Sequence, residues 1–171
     1  MIDVPALAGR QVFQIAFVVR DFENALARFS SVLGAGPWRC WTFGSDDHGE
    51  TFYRGAPANF SLLLALNGST PQLELIQPLT GSSAHQEWLE RHGEGPHHVG
   101  IVVDSVDETI KQMAAAGFEL IHRGARFGPR RDGAWAYFDT TEALGLVLEA
   151  VEPPTSMPAV DFVWPGPRRD S

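Results

Sequence analysis

The chain has 171 residues, 44% hydrophobic and 20% charged, with a formal net charge of −8. This composition can bury a core, which excludes disorder, and an acidic surface with no Lys/Arg run beyond Arg130-Arg131 and Arg168-Arg169 disfavours nucleic acid and anionic membranes as partners. No apolar stretch nears the roughly 20 residues that span a bilayer, and the first residues lack a basic start followed by an apolar run, so a cytoplasmic protein with a small-molecule partner is expected.

In chain order, a strand is expected over 12–19. Asp21 can cap a helix with Phe22, Ala25, Leu26, Phe29, Val32 and Leu33 on its apolar face, stopped by Gly34. Strands follow over 38–43, 59–66 and 72–77, separated by Gly, Asn, Ser and Pro, and the polar stretch 44–55 reads as an inserted loop. Residues 84–92 form a short linking helix with Trp88 and Leu89 on its apolar side. Ser105 and Glu108 make a capping box for a helix with Val106, Ile110 and Met113 inward, ended by Gly117. Strands then come over 118–122, 134–138 and 144–151, and the Pro-rich tail from Pro153 has no periodic pattern.

The order strand, helix, three strands occurs twice. Residues 14–26 (QIAFVVRDFENAL) match 98–110 (HVGIVVDSVDETI), and LELIQP at 73–78 matches LEAVEP at 148–153. The fold class expected is therefore α+β, two βαβββ modules whose curved sheets share a cleft: a first module over 1–81, the linking helix over 82–95, a second module over 96–153 and an arm over 154–171.

Matched positions of the two modules face one another across an approximate twofold axis. The polar residues at matched strand positions are Gln14, Glu74, His98 and Glu149. Taken singly, each could be an ordinary solvent-facing strand residue. Two carboxylates at equivalent places in two apolar strands would be costly to bury alone, and a divalent cation offsets that cost. Two carboxylates, one imidazole and one amide oxygen suit Zn, Co, Ni or Mn. Cys40 is the only cysteine, so such a site has no thiolate. His97 and His98 are adjacent, strand alternation turns one of them away, and alignment with Gln14 selects His98.

These modules resemble the vicinal oxygen chelate superfamily, which includes glyoxalase I, methylmalonyl-CoA epimerase, extradiol dioxygenases and bleomycin-resistance proteins. The resemblance covers about residues 11–153. ELIQPL, WLERHGEGPHHVGI and GLVLEAVEP are similar in order and spacing to the epimerase motifs, whereas a Gln, Glu, His, Glu ligand order is similar to the zinc-type glyoxalase I; the epimerases have histidine where this chain has Gln14. The resemblance implies metal ligands at Gln14, Glu74, His98 and Glu149 and a homodimer, with Phe162 and Trp164 of the arm as a clasp on a neighbour.

The chemistry implied is proton transfer next to a carbonyl, by an isomerase, epimerase or lyase, on a substrate that includes CoA thioesters among its candidates. Glu149 is the first candidate base, with Glu74 opposite it. One histidine among the ligands disfavours extradiol dioxygenase chemistry. Arg54, Arg126, Arg130 and Arg131 are candidates to hold a substrate carboxylate or phosphate. Trp135, with Trp38, Trp41 and Phe43, lies on strands facing the cleft or the core. The 44–55 insertion offers His48, Glu50 and Tyr53 as a lid with a second acid or base. The alternative is a non-catalytic binding protein of the bleomycin-resistance type.

Overall fold

The computed structural model describes residues 4–166, so Arg168 and Arg169 lie outside the described residues. The elements are β1 (Val12–Val18), α1 (Phe22–Leu33), β2 (Trp38–Gly44), β3 (Glu50–Tyr53), β4 (Ala56–Pro57), β5 (Phe60–Leu66) and β6 (Gln72–Gly81). They continue with α2 (Ala84–His92), β7 (Gly95–Val102), α3 (Val106–Ala115), β8 (Leu120–Phe127), β9 (Gly133–Phe138), α4 (Thr141–Leu144), β10 (Val147–Glu152) and β11 (Phe162–Trp164). None of the described helices is long and apolar enough to cross a membrane.

Local chemistry sets the helix ends. The Asp21 carboxylate accepts from the Asn24 amide at 3.0 Å, and Gly34 takes the left-handed conformation (φ 65°) that ends α1. The first turn of α3 is held twice, by Ser105 Oγ accepting from Glu108 N and by Glu152 Oε2 accepting from Val106 N at 2.7 Å. Phe22, Ala25 and Leu26 are buried against the sheet. Val32 and Leu33, expected on the same face, are 79% and 61% exposed, while Phe29 and Ser30 are the residues of that end which meet Trp38 of β2.

The strands form one sheet ordered β11-β2-β5-β6-β1-β7-β10-β9-β8-β3-β4. Its centre is the antiparallel β1/β7 pair, in which Gln14 faces Gly100 and Ala16 faces His98. On one side β6 puts Gln72 beside Gln14 and Glu74 beside Ala16; on the other, β10 puts Val147 beside His98 and Glu149 beside Gly100. The repeat read from the sequence is thus reproduced residue for residue in the register.

In each half one face of the sheet is covered by a helix. Trp38, Cys40, Ala65, Leu75 and α1 make one core, and Ala136, Phe138, Leu148, Ala150 and α3 make its counterpart. The other face curls on itself. Phe43 of β2 meets Phe127 of β8 edge-on with ring centroids 5.2 Å apart, although seven places separate those strands in the sheet order.

Two segments differ from their sequence reading. The 44–55 insertion is not a loop throughout. Its strand β3 pairs with β8, at the outer edge of the other half, and turns into β4 through Arg54 and Gly55, both at positive φ (47° and 79°), as a two-residue hairpin requires. The pairing partner is distant in sequence, so local composition could not announce it. The arm, expected to clasp a neighbour, clasps its own chain. Trp41 Nε1 donates to Pro158 O at 3.1 Å, and β11 pairs with β2 so that Phe162 enters the first core. Each half therefore has its exposed edge covered by a strand from the other's stretch of chain. A smaller difference is α4, a single turn stopped by Gly145 (φ 77°), which delays the last central strand to Val147.

Candidate metal centre

Glu74, His98 and Glu149 converge on the floor of the cleft formed by the curled face. His98 Nε2 stands 3.2 Å from Glu74 Oε2 and 3.3 Å from Glu149 Oε2, and all three residues are buried. The distances are those of hydrogen bonds, yet the alignment is not: His98 Nε2 and Glu74 Oε2 are both buried without a hydrogen-bond partner. Two donor atoms held about 2.0–2.2 Å from one ion stand about 3.0–3.5 Å apart, which matches the spacing here.

Gln14 lies in the same cleft. Its Nε2 donates to Gln72 Oε1 at 3.0 Å, which turns the amide so that its oxygen lies over Gly100. Gly100 is the residue between Gln14 and Glu149 in the register. A Cβ at position 100 would stand 3.1 Å from Gln14 Oε1 and 2.9 Å from the Phe13 ring. The missing side chain leaves the amide oxygen room on the side of Glu149. Gly100→Ala should therefore lower thermal stability by about 1–3 kcal/mol, by overpacking, and should weaken divalent-ion binding in the same samples.

Burial alone would lower the His98 pKa, but the Glu149 and Glu74 carboxylates outweigh it and hold it at about 9. Burial also pushes the Glu74 carboxyl up, with His98 acting against that shift. Tyr137 sits directly opposite Glu149; burial first, and then the Glu149 and Glu74 charges, push its phenol well above the ordinary value, so it remains a donor toward Glu149.

The strand-alternation argument fails at His97. The β1/β7 register slips between the Ala16/His98 and Phe17/Pro96 pairs, so His97 is the extra residue of a β-bulge. It does not turn away from its neighbour: His97 Nδ1 lies 2.8 Å from His98 Nδ1. Burial holds His97 well below its usual pKa, so it is neutral and accepts the Nδ1 proton of His98, which leaves His98 Nε2 as the atom facing the carboxylates.

Three further residues were not singled out by the sequence. His85 of α2 lines the cleft, with both ring nitrogens unpartnered, and its ring centroid lies 4.8 Å from that of His97, tilted, and 5.2 Å from that of Tyr137, edge-on. One nitrogen each from His85, His97 and His98 fall within 4.8 Å of one another, a second donor group beside the first. The signal for His85 was present, because it lies one helical turn before Trp88 and Leu89 and so on the inward face of α2. His122 is buried between Phe60 and Trp135, and burial pushes its pKa down to about 3. Arg39 of β2 is the third. Among the described residues it is the one cationic side chain in the cleft lining.

The arginines expected to bind substrate stand elsewhere. Arg54 is held by both oxygens of Glu87 (2.9 Å each) and by Glu119, outside the cleft. Arg126 lies 3.7 Å from Glu50 with most of its side chain exposed, and Arg130 and Arg131 are exposed in the turn after β8. Trp135 does line the cleft. His48 lines it too, but both its nitrogens are occupied: Nδ1 donates to Gly44 O at 2.9 Å and Nε2 accepts from Trp135 Nε1 at 2.8 Å. It is a strut for Trp135 and not the second acid or base expected of a lid. Tyr53 donates to Glu87 outside the cleft.

Fold and cleft together define a paired-module protein with a mixed carboxylate and imidazole centre. The profile of the Glyoxalase/Bleomycin resistance protein/Dioxygenase superfamily matches residues 13–138, and the chain belongs to that superfamily. YqjC, an uncharacterized protein of Bacillus subtilis (strain 168), is 32% identical over 82 residues, 48% of this chain and 58% of that protein; the match spans little more than half of the relative's length. Among solved structures, methylmalonyl-CoA epimerase from Mycobacterium tuberculosis aligns with a TM-score of 0.56 at 22% identity, over 90% of this chain and 93% of that one. Hypothetical protein BH1468 from Bacillus halodurans C-125 aligns at 0.61 and 20% identity, over 88% and 99%. A methylmalonyl-CoA epimerase in complex with methylmalonyl-CoA and NH4+ aligns at 0.56 and 17%, over 87% and 99%. At these identities the structures establish a common fold.

Proposed function

We propose that this protein is a metal-dependent enzyme that moves a proton on the carbon next to a carbonyl, as an isomerase, epimerase or lyase. The observation that carries this reading is the convergence of the buried Glu74, His98 and Glu149, with His98 Nε2 3.2 and 3.3 Å from the two carboxylates. Glu74, His98, Glu149 and the amide oxygen of Gln14 would hold a divalent ion such as Zn, Co, Ni or Mn, the carboxylates balancing its charge. Bound there, the ion supplies Lewis-acid stabilisation of the negative charge that collects on the carbonyl oxygen during deprotonation.

The rest is done by side chains. Glu149 faces the cleft beside Tyr137 and is the candidate to take the proton; Glu74, its twofold mate, can return one from the opposite side. The Tyr137 hydroxyl, kept protonated, orients Glu149. Leu64, Ile76, Phe127 and Met157 exclude water around the reacting carbon. The epimerase neighbours support this class, and the complex with methylmalonyl-CoA makes a CoA thioester one substrate to test. Incubation in deuterium oxide with zinc should place deuterium on the carbon next to the carbonyl of a turned-over substrate. Tight binding of ligands with no exchange on any of them would instead favour sequestration, the role that the apolar lining also fits.

The His98 pKa gives this reading a pH dependence. Its value of about 9 lies above that of an unfolded histidine, so below pH 9 a proton occupies the nitrogen that a metal needs. Metal affinity should rise by about tenfold per pH unit below 9 and level off above it, with one proton released from His98 per ion at neutral pH. Calorimetry in buffers of different ionisation enthalpy measures that proton; a pH-independent affinity contradicts the arrangement.

A further inference from the structure

We infer that the cleft takes a compact apolar or aromatic carbonyl compound that carries one carboxylate remote from its carbonyl, and that Arg39 binds this carboxylate. The inference deepens the proposed function and rests on it only for the carbonyl end of the ligand.

The cavity has a volume of about 360 Å³ and is walled by residues such as Phe43, Leu62, Leu64, Phe127 and Trp135. A volume near the low end of small-ligand sites suits a single ring with a short chain. The polar groups inside it are almost all engaged. Glu74 and Glu149 belong to the candidate metal centre, Glu152 caps α3, and His48 is bonded through both nitrogens.

His85 and Arg39 are the exceptions, and burial keeps His85 neutral, which leaves Arg39 as the charged one. Its guanidinium lies over the Trp41 ring, 5.5 Å from the centroid, and has no carboxylate partner among the described residues. Arg54, by contrast, is neutralised by Glu87 and Glu119. A guanidinium resting over an indole beside an apolar cleft presents its planar fork to a carboxylate.

The register gives the scale of the ligand. Arg39 pairs with Leu66, and Leu66 with Glu74, so the backbones of Arg39 and Glu74 stand two strand spacings, roughly 10 Å, apart, which gives the scale of the span between the two ends of the ligand. A phenyl ketone with a three-carbon acid chain spans such a distance. The phosphates of a CoA ester would need several cations, and the lining supplies one.

The test is calorimetric titration of zinc-loaded and zinc-free protein with 4-oxo-4-phenylbutanoate, its methyl ester and methylmalonyl-CoA. The acid should bind the zinc-loaded protein at least tenfold more tightly than the ester. Arg39→Gln should bring the acid to the level of the ester and leave the ester unchanged, and Arg39→Lys should retain part of the difference; the side chain is exposed, so both variants fold. Equal binding of acid and ester, a preference that survives in Arg39→Gln, or tighter binding of methylmalonyl-CoA than of the acid in both proteins would each overturn the inference. A protein that binds no zinc yet keeps the Arg39-dependent preference supports the carboxylate site and overturns the metal reading alone.

Discussion

His98→Ala should lower divalent-metal affinity by more than the 10- to 100-fold typical of losing a partner behind a ligand, and should abolish turnover. The reason lies in what surrounds the imidazole. His98 is fully buried, and its Nε2 stands between the Glu74 and Glu149 carboxylates. Without an ion, a protonated His98 compensates both acids; with one, its lone pair completes the donor set. Removing it leaves two buried carboxylates with neither, which costs about 3–5 kcal/mol in the metal-free protein. Urea unfolding with and without zinc separates the two effects, since the added ion should stabilise the wild type far more than the variant. His97→Ala is the control at the adjacent position: it should weaken the site less, because it removes the acceptor behind His98 and no donor.

Glu149→Gln should slow deuterium incorporation next to the substrate carbonyl by a factor of about 10²–10⁴, the contribution expected of a positioned general base. The amide keeps the size of the side chain and an oxygen that can still ligate. What it loses is basicity, together with one of the two charges that balance the ion. Metal binding should therefore weaken but persist, and exchange measured at saturating zinc should still be slow. Glu74→Gln offers the comparison across the twofold axis: if the two acids serve opposite faces of one carbon, each variant should retain exchange from a different enantiomer. An unaffected rate in Glu149→Gln contradicts the assignment of the base.

Much of this was legible in the sequence because the information is local and repeated. Asp21 and Gly34 mark the ends of α1 with ordinary capping chemistry, and the match of 14–26 to 98–110 marked two modules, whose first strands the structure pairs at the centre. From that match and the match of 73–78 to 148–153 came Gln14, Glu74, His98 and Glu149, three of which converge in space while the fourth shares their cleft. What could not be read depends on pairing between distant segments. The bulge that turns His97 toward His98 is a slip of register between β1 and β7, invisible in either strand alone. The same holds for β3 and β11, short strands that exist because β8 and β2 present open edges. The arginines mislead for a related reason. Charge marks Arg54 and Arg39 alike, but only the folded chain shows that Glu87 and Glu119 neutralise the first and that the second faces the cleft.

Two donor groups stand side by side, Glu74/His98/Glu149 with Gln14 on one hand and His85/His97/His98 on the other, and both include His98. X-ray absorption fine structure at the zinc edge of the reconstituted protein distinguishes them directly, because imidazole rings give a multiple-scattering pattern that carboxylates and amides do not. One imidazole with the remaining donors oxygen is the predicted result. Two or three imidazoles, or a protein that takes up no stoichiometric ion, would contradict the account.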